Sequence, residues 1–419
     1  MNEKLLQYIW QFQHFNRQQL ITTEGEPVTI INQGTLNSNQ GPDFSDAKIK
    51  TGDTVWAGSV ELHILSSQWY QHQHSSDGNY NNVILHVVWK HDAPGEFPFP
   101  VIELHDRVSK ILLEKYDQLM NTGSAIPCEK QIAGVNEFVW QSWQQRLLVE
   151  RLMEKAATVF DHLYHTNNHW EEAFWRMLAK NFGIKVNSEA FESIAVSLPV
   201  NVLAKHKNQV QQLEALLLGQ AGILNGDFTD DYCIMLQKEY HFLKKKYDLL
   251  PVNTPVHYLR MRPSNFPSIR LAQLAMLVHQ SSHLFSKILT QASVKELKQL
   301  MDVTANDYWH YHYLPDEISA FKKKKLGAAM VDNILVNTVA PMLFAYGHYQ
   351  NENKYKDQAI ALLEQIAAEK NNITGIFTAA GIPVRSAFAS QALIQMKNKY
   401  CDQKRCLRCA VGNNILKRG

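Results

Sequence analysis

The sequence predicts an α/β domain over residues 1–124, a mixed sheet with flanking helices, followed by a large all-α domain over residues 125–395. Three observations carry that expectation. Between residues 28 and 104, short β-branched or alternating runs are bounded by Gly, Pro, Asn and Asp. One of them, Val83 to Trp89, follows an earlier strand across a short helical stretch, the pattern of a parallel crossover. From Val135 onward the apolar residues recur at helical spacing instead. Residues 396–419 form a basic tail that carries cysteines.

In chain order, Leu5, Leu6, Ile9, Trp10, Phe12 and Phe15 place an amphipathic helix over residues 2–16. Glu24 and Glu26 sit in a turn before the strand Val28 to Ile31, and residues 32–40 read as a polar loop. Thr51-Gly52-Asp53 separates two alternating segments and marks a β-hairpin. If Lys50 faces Thr54 across a three-residue loop, Asp43 lies opposite Glu61, with Cβ atoms about 5 Å apart. His63 then shares the face of Glu61, while Val60, Leu62 and Ile64 turn toward a core. A one-residue slip would move Asp43 to the other face. Ser66 or Ser67 caps a short helix carrying Trp69, and Val83 to Trp89 is apolar enough to be a buried central strand. Residues 94–100, PGEFPFP, read as a turn with edge character, ahead of a strand at Val101 to Leu104 and a helix at Val108 to Met120.

Two carboxylates as close as Asp43 and Glu61 repel unless a cation or a proton lies between them. A hard divalent ion such as Mg²⁺, or Mn²⁺, suits such a pair. The bland alternative is a turn-capping Asp43 and a solvated Glu61.

Gly41-Pro42-Asp43 and, after 17 intervening residues, Glu61-Leu62-His63 resemble the motif of the PD-(D/E)XK nuclease superfamily. That resemblance implies a restriction-endonuclease-like core in the first domain, with Asp43 and Glu61 as ligands to Mg²⁺ or Mn²⁺. In some members an acid from the region of Glu24 and Glu26 adds a ligand. The superfamily's lysine is replaced by His63, an imidazole able to position or deprotonate a water but lacking a fixed charge. The longer pattern from GPDFSDAKI to YNNVILHVVW also resembles a family of uncharacterised bacterial proteins, a domain of unknown function that matches nearly the whole chain.

His63, His72, His74 and His86 fall within 24 residues. On a continuous helix His72 and His74 would point about 200° apart, so the expectation is His63 with one of the two near the active-site end. His86 is expected in the core. Asp77 and Tyr80 line the same mouth or only make the turn.

In the second domain, helices are expected over 138–164, 171–181, 201–218 and 229–247. Arg260, Arg262 and Arg270 flank a proline-bounded turn into a helix and either grip nucleic-acid phosphates or pair with neighbouring acids. Gly219 to Gly222 reads as a helix–helix turn, since no Gly-Lys-Ser/Thr follows. Tyr308 to Tyr313 is packing surface or a base-stacking cluster, and Lys322 to Lys325 a solvated helix face or a DNA-backbone contact. Cys401, Cys406 and Cys409 suggest a metal, zinc first, with Cys128, Cys233 or a histidine as fourth ligand. An iron–sulfur cluster is the rival, since some relatives in the nuclease superfamily hold one with a distant cysteine plus a C-terminal group. Reduced free cysteines are the plain alternative.

At 45% hydrophobic and 20% charged residues with a net charge of +2, the chain reads as an ordinary globular protein without an overall basic field. No signal peptide and no transmembrane helix are expected, and the cytoplasm is the expected compartment. The functional expectation is a metal-dependent nuclease with Asp43, Glu61 and His63 at its centre, acting on DNA in preference to RNA. The alternatives are a non-catalytic nucleic-acid-binding scaffold on a degenerate nuclease core, and a hydrolase of another substrate.

Overall fold

A computed structural model describes residues 1–37, 39–93, 97–281, 283–290 and 293–418. Residues 94–96 of the expected proline-rich turn lie outside the described residues. The chain divides into two units. The first comprises residues 1–143, 378–382 and 396–419; the second comprises 144–377 and 383–395. The basic tail thus belongs to the α/β unit instead of standing apart, and the main division falls at 143/144, later than the linker expected at 124.

The α/β unit opens with α1 (Glu3–Gln11), whose N-terminus is capped by the Asn2 side chain accepting from Leu5 N at 2.9 Å. The helix ends earlier than the apolar spacing suggested, because Gln13 takes a left-handed conformation (φ 51°). Its buried face, Leu5, Leu6, Ile9 and Trp10, packs against a six-stranded mixed sheet. The strands are β1 (Val28–Asn32), β2 (Thr35–Leu36), β3 (Phe44–Thr51), β4 (Thr54–Leu65), β5 (Val83–Lys90) and β6 (Val101–Glu103). Their order is β1-β3-β4-β5-β6, with β2 also on β3; β3 is antiparallel to β4, while β5 is parallel to β4 and β6 to β5. Val60 and Leu62 are fully buried, each contributing about 1.5–3 kcal/mol of apolar burial. β5 is buried from Val83 to Val88, as its unbroken apolar run requires.

The hairpin corrects one expectation and preserves another. Its loop has two residues, with Thr51 opposite Thr54 and Lys50 opposite Val55, so the expected pairing is off by one. A bulge between Phe44 and Ala47, with Asp46 at φ 57°, then adds a residue to β3 and brings Phe44 opposite Val60. The two shifts cancel, and Asp43 arrives beside Glu61.

The second unit is largely helical. One long helix, α3 being Lys110–Asn121 and this one α4 (Glu137–His165), spans the 138–164 expectation and contains the unit boundary. The expected 201–218 helix is two, Val200–Lys205 and Val210–Gln220. Gly222 (φ +72°) follows the second of these, as a helix–helix turn requires. A small hairpin, His312–Leu314 with Glu317–Ile318, interrupts the helices where none was expected. Trp309, His310 and His312 are buried, so the aromatic cluster is mainly packing. Lys322 to Lys325 lies outside any helix; Lys324 is buried with its ammonium 3.7 Å from the Tyr313 ring centroid, and Lys325 pairs with Asp302. Residues 328–349 are helical and, by length and composition alone, apolar enough to cross a membrane. Within this unit 72% of that window is buried, the environment of a core helix.

Gly58 marks a close approach of β4 to the segment entering β5. A Cβ there would lie 2.4 Å from the Asn82 carbonyl oxygen and 2.6 Å from Ile84 Cγ2, and Ser59 N donates to that same carbonyl at 2.8 Å. Gly58→Ala is therefore expected to destabilise the α/β unit by about 1–3 kcal/mol. Urea unfolding checks this, and an unchanged midpoint would mean that the strands stand further apart.

Candidate functional site: a carboxylate–imidazole cluster

The site is built on β4, the turn after it, and the segment entering β3. Glu61 and His63, two apart on β4, share a face and are both buried (6% and 2% exposed). The Asp43 backbone N–H donates to Glu61 Oε2 at 3.0 Å, which ties the start of β3 to the centre of β4. Asp43 accepts from the Gln7 side chain at 2.7 Å and from Leu62 N at 3.1 Å. Gln7, on α1, had no signal in the sequence beyond a helical position.

The four histidines converge. His63 Nδ1 lies 2.9 Å from His86 Nε2, and His63 Nε2 lies 3.2 Å from His72 Nδ1. One ligand nitrogen from each of His63, His72 and His74 falls within 4.8 Å of the others. Glu61 Oε1 stands 3.6 Å from both His63 Nε2 and His74 Nε2. His74 Nε2 is buried without a hydrogen-bond partner.

The expectation that only one of His72 and His74 could reach the site is overturned by backbone geometry. The helix α2 (Gln68–Gln71) stops at His72, and Gln73 adopts a left-handed conformation (φ 57°). That residue reverses the chain so that His74, opening a 3₁₀ turn, faces the same way, with the two rings 5.4 Å apart. Asp92 fastens the beginning of α2 by accepting from Ser66 Oγ, Ser67 N and Ser67 Oγ at 2.9–3.1 Å. Tyr80 stacks on His74 at 3.9 Å, and the buried Trp69 packs against both. Asp77 caps the turn through Asn79 N. His86 is fully buried, as expected.

Electrostatics follow from burial. Glu61 is pushed up to about 8, by desolvation first and then by the Asp43 charge. Desolvation raises Asp43 to about 6 against the lowering effect of the Gln7 and Leu62 N–H bonds. His63 is held down at about 2 and His86 at about 3, by burial and then by neighbouring imidazoles. His63 and His86 therefore present neutral ring nitrogens, beside carboxylates that resist ionising together. This donor set fits a divalent cation, and three imidazoles with one carboxylate suit a borderline ion such as Zn²⁺ or Fe²⁺ better than Mg²⁺.

The other expected site residues lie elsewhere. Glu24 and Glu26 are exposed in a turn whose N–H groups bond Thr22 Oγ1. Arg260 and Arg262 are exposed on the helical unit. Arg270 is buried there, donating to Asn265 and Gln273 side-chain oxygens. Cys401, Cys406 and Cys409 are buried in the α/β unit.

Fold and site together define an α/β protein with a carboxylate–imidazole cluster that runs from the buried Glu61 and His63 to the exposed His72, and a helical second unit. The chain belongs to the family described as protein of unknown function DUF2851, whose model matches residues 3–372. No curated protein and no solved structure matches it.

In metal-free protein, His63 and His86 are expected to stay neutral when the pH falls from about 7 to about 5. The unfolded chain would take up those protons near 6.5. Both folded values are depressed, so these two residues cost stability as the pH drops below about 6.5. Ring ¹⁵N chemical shifts read the charge directly; a charged His63 or His86 at pH about 5 would contradict the packed geometry.

Proposed function

We propose that the α/β unit is a metal-dependent phosphodiesterase acting on nucleic acid, DNA in preference to RNA. The observation that carries the reading is the convergence of three imidazole nitrogens within 4.8 Å, with the Glu61 carboxylate 3.6 Å from two of them. Glu61, His63, His72 and His74 would hold the ion. When bound, it would polarise the phosphodiester and lower the pKa of an attacking water.

The remaining roles belong to the chain itself. A proton on His63 Nδ1, donated to His86 Nε2, turns the Nε2 lone pair of His63 toward the site, the usual orienting device behind a ligating imidazole. His63 is then a ligand, not a base. Asp43, its oxygens already steered by Gln7 and Leu62 N–H, is raised toward the range in which a carboxylate takes a proton from water near neutral pH. A groove beside Gln7 is lined by Lys4, Lys404, Arg405 and Arg408, cations that suit a phosphate backbone, with Tyr116 among them. Arg260 and Arg262 are exposed cations of the helical unit, able to meet a phosphate backbone in their own right; Arg270 is a core residue there.

The phosphodiester substrate rests on the PD-(D/E)XK resemblance of Pro42-Asp43 and Glu61-Leu62-His63. A first helix against the sheet, and an antiparallel pair followed by a parallel strand, support a restriction-endonuclease-like core. Replacement of the motif lysine by a buried neutral His63 favours one other reading, a nucleic-acid-binding protein that does not cleave.

Cleavage of single- and double-stranded DNA and of RNA with Mg²⁺, Mn²⁺ or Zn²⁺ tests the proposal. Wild type is expected to cleave best with Mn²⁺ or Zn²⁺. Glu61→Gln, Asp43→Asn and His74→Ala should each lose about 100-fold or more with circular dichroism unchanged. Binding of nucleic acid without cleavage by any metal-loaded wild type would replace the enzyme with the binding protein.

A further inference from the structure

Four of the five cysteines lie in the α/β unit. Cys128 follows α3 in a turn whose carbonyl accepts from Gln131 and Ile132 N–H. Cys401 ends a π turn at Lys397–Cys401, Cys406 opens a 3₁₀ turn at Cys406–Arg408, and Cys409 precedes the C-terminal helix Ala410–Lys417. All four are buried, at 4–7% exposure, and none is in a disulfide. Cys128 is within electrostatic reach of Cys406 and Cys409, and Cys401 of all three others. Cys233 lies in the helical unit, 3.1 Å from the Tyr308 hydroxyl.

The backbone ties three of these cysteines into consecutive turns: Lys404 N donates to the Cys401 carbonyl at 3.1 Å and Cys409 N to the Cys406 carbonyl at 3.2 Å. The tail is also tightly packed. A Cβ on Gly412 would lie 2.2 Å from the Cys406 carbonyl oxygen, so the terminal helix is pressed onto the cysteine turn. Lys404 Nζ also donates to the Met120 carbonyl at the end of α3.

We propose that Cys128, Cys401, Cys406 and Cys409 together hold a thiophilic metal centre that fastens the basic tail to the α/β unit. Four sulfur ligands suit either zinc or an iron–sulfur cluster. Among the described residues, the histidines are the group whose donor atoms come within 4.8 Å of one another; the sulfurs are spread more widely. One tetrahedral zinc with bonds of about 2.3 Å needs closer sulfurs, while cluster ligands bind separate irons. The centre does not depend on the nuclease reading. Its consequence does: by holding Lys404, Arg405 and Arg408 in place, it shapes the groove beside Gln7 and Asp43.

The test uses full-length protein carrying His72→Ala and His74→Ala, so that metal at the histidine cluster does not contribute. Iron, zinc and acid-labile sulfide are measured after anaerobic purification, and the first coordination shell is read by X-ray absorption. Iron with sulfide and visible charge-transfer absorption identifies a cluster; colourless protein with one zinc in an all-sulfur shell identifies zinc. Either supports the four-thiolate centre. Adding Cys128→Ser should remove most of the metal or put oxygen or nitrogen into its shell, while Cys233→Ser changes neither. Absence of bound metal, a shell without sulfur, or a Cys128→Ser variant with the full complement and an unchanged shell would overturn the proposal. None of these readouts involves cleavage, so they stand apart from failure of the nuclease reading.

Discussion

The pairing of β3 with β4 is the constraint on which the site depends. Phe44 opposite Val60 places Asp43 where its backbone N–H reaches Glu61 and its carboxylate reaches Leu62 N. Side chains alternate along a strand, so a one-residue slip would send Glu61 and His63 into the apolar core and Leu62 toward Asp43. The bulge at Asp46 enforces this register. It absorbs the odd residue left by the two-residue loop, at the cost of a left-handed backbone in a residue type that tolerates one.

Once that register is set, burial does the rest. Asp43 and Glu61 favour their neutral forms, and so do His63 and His86, because burial strips these four of their ordinary hydration. A sheet face of this kind is a poor way to stabilise a fold, since apolar residues would fill the same space without a desolvation penalty. Its rigidity comes from outside the cluster: Asp92 on the start of α2, Gln7 on Asp43, Tyr80 and Trp69 around His74. That arrangement of fixed side chains around under-satisfied donors distinguishes a site from a chance gathering of polar residues.

Much of this was legible in the residues. Turn signals and alternation located the hairpin, β1, the buried β5 and the short β6, and Asp43, Glu61 and His63 were singled out by their spacing. The unreadable parts were those decided by single backbone conformations. A two-residue loop and a compensating bulge leave the same pairing as a three-residue loop without one, so the right neighbours followed from the wrong hairpin. Gln73, an ordinary residue in a left-handed conformation, undid the helical argument that kept His72 and His74 apart. Gln7, Lys4 and Tyr116 carry no motif at all; tertiary packing alone brings them to one groove, from which Gln7 reaches Asp43. Likewise Lys324 was read as solvated from composition, although packing buries it against Tyr313.

The α/β unit is discontinuous, since residues 396–419 return to it after the whole helical unit has been made. During synthesis the sheet, α1 and α3 emerge first, yet Lys404, Arg405 and Arg408 and the terminal helix come last. The groove beside Gln7 is therefore completed only when residues 396–419 have folded back onto a unit whose strands were made far earlier in the chain.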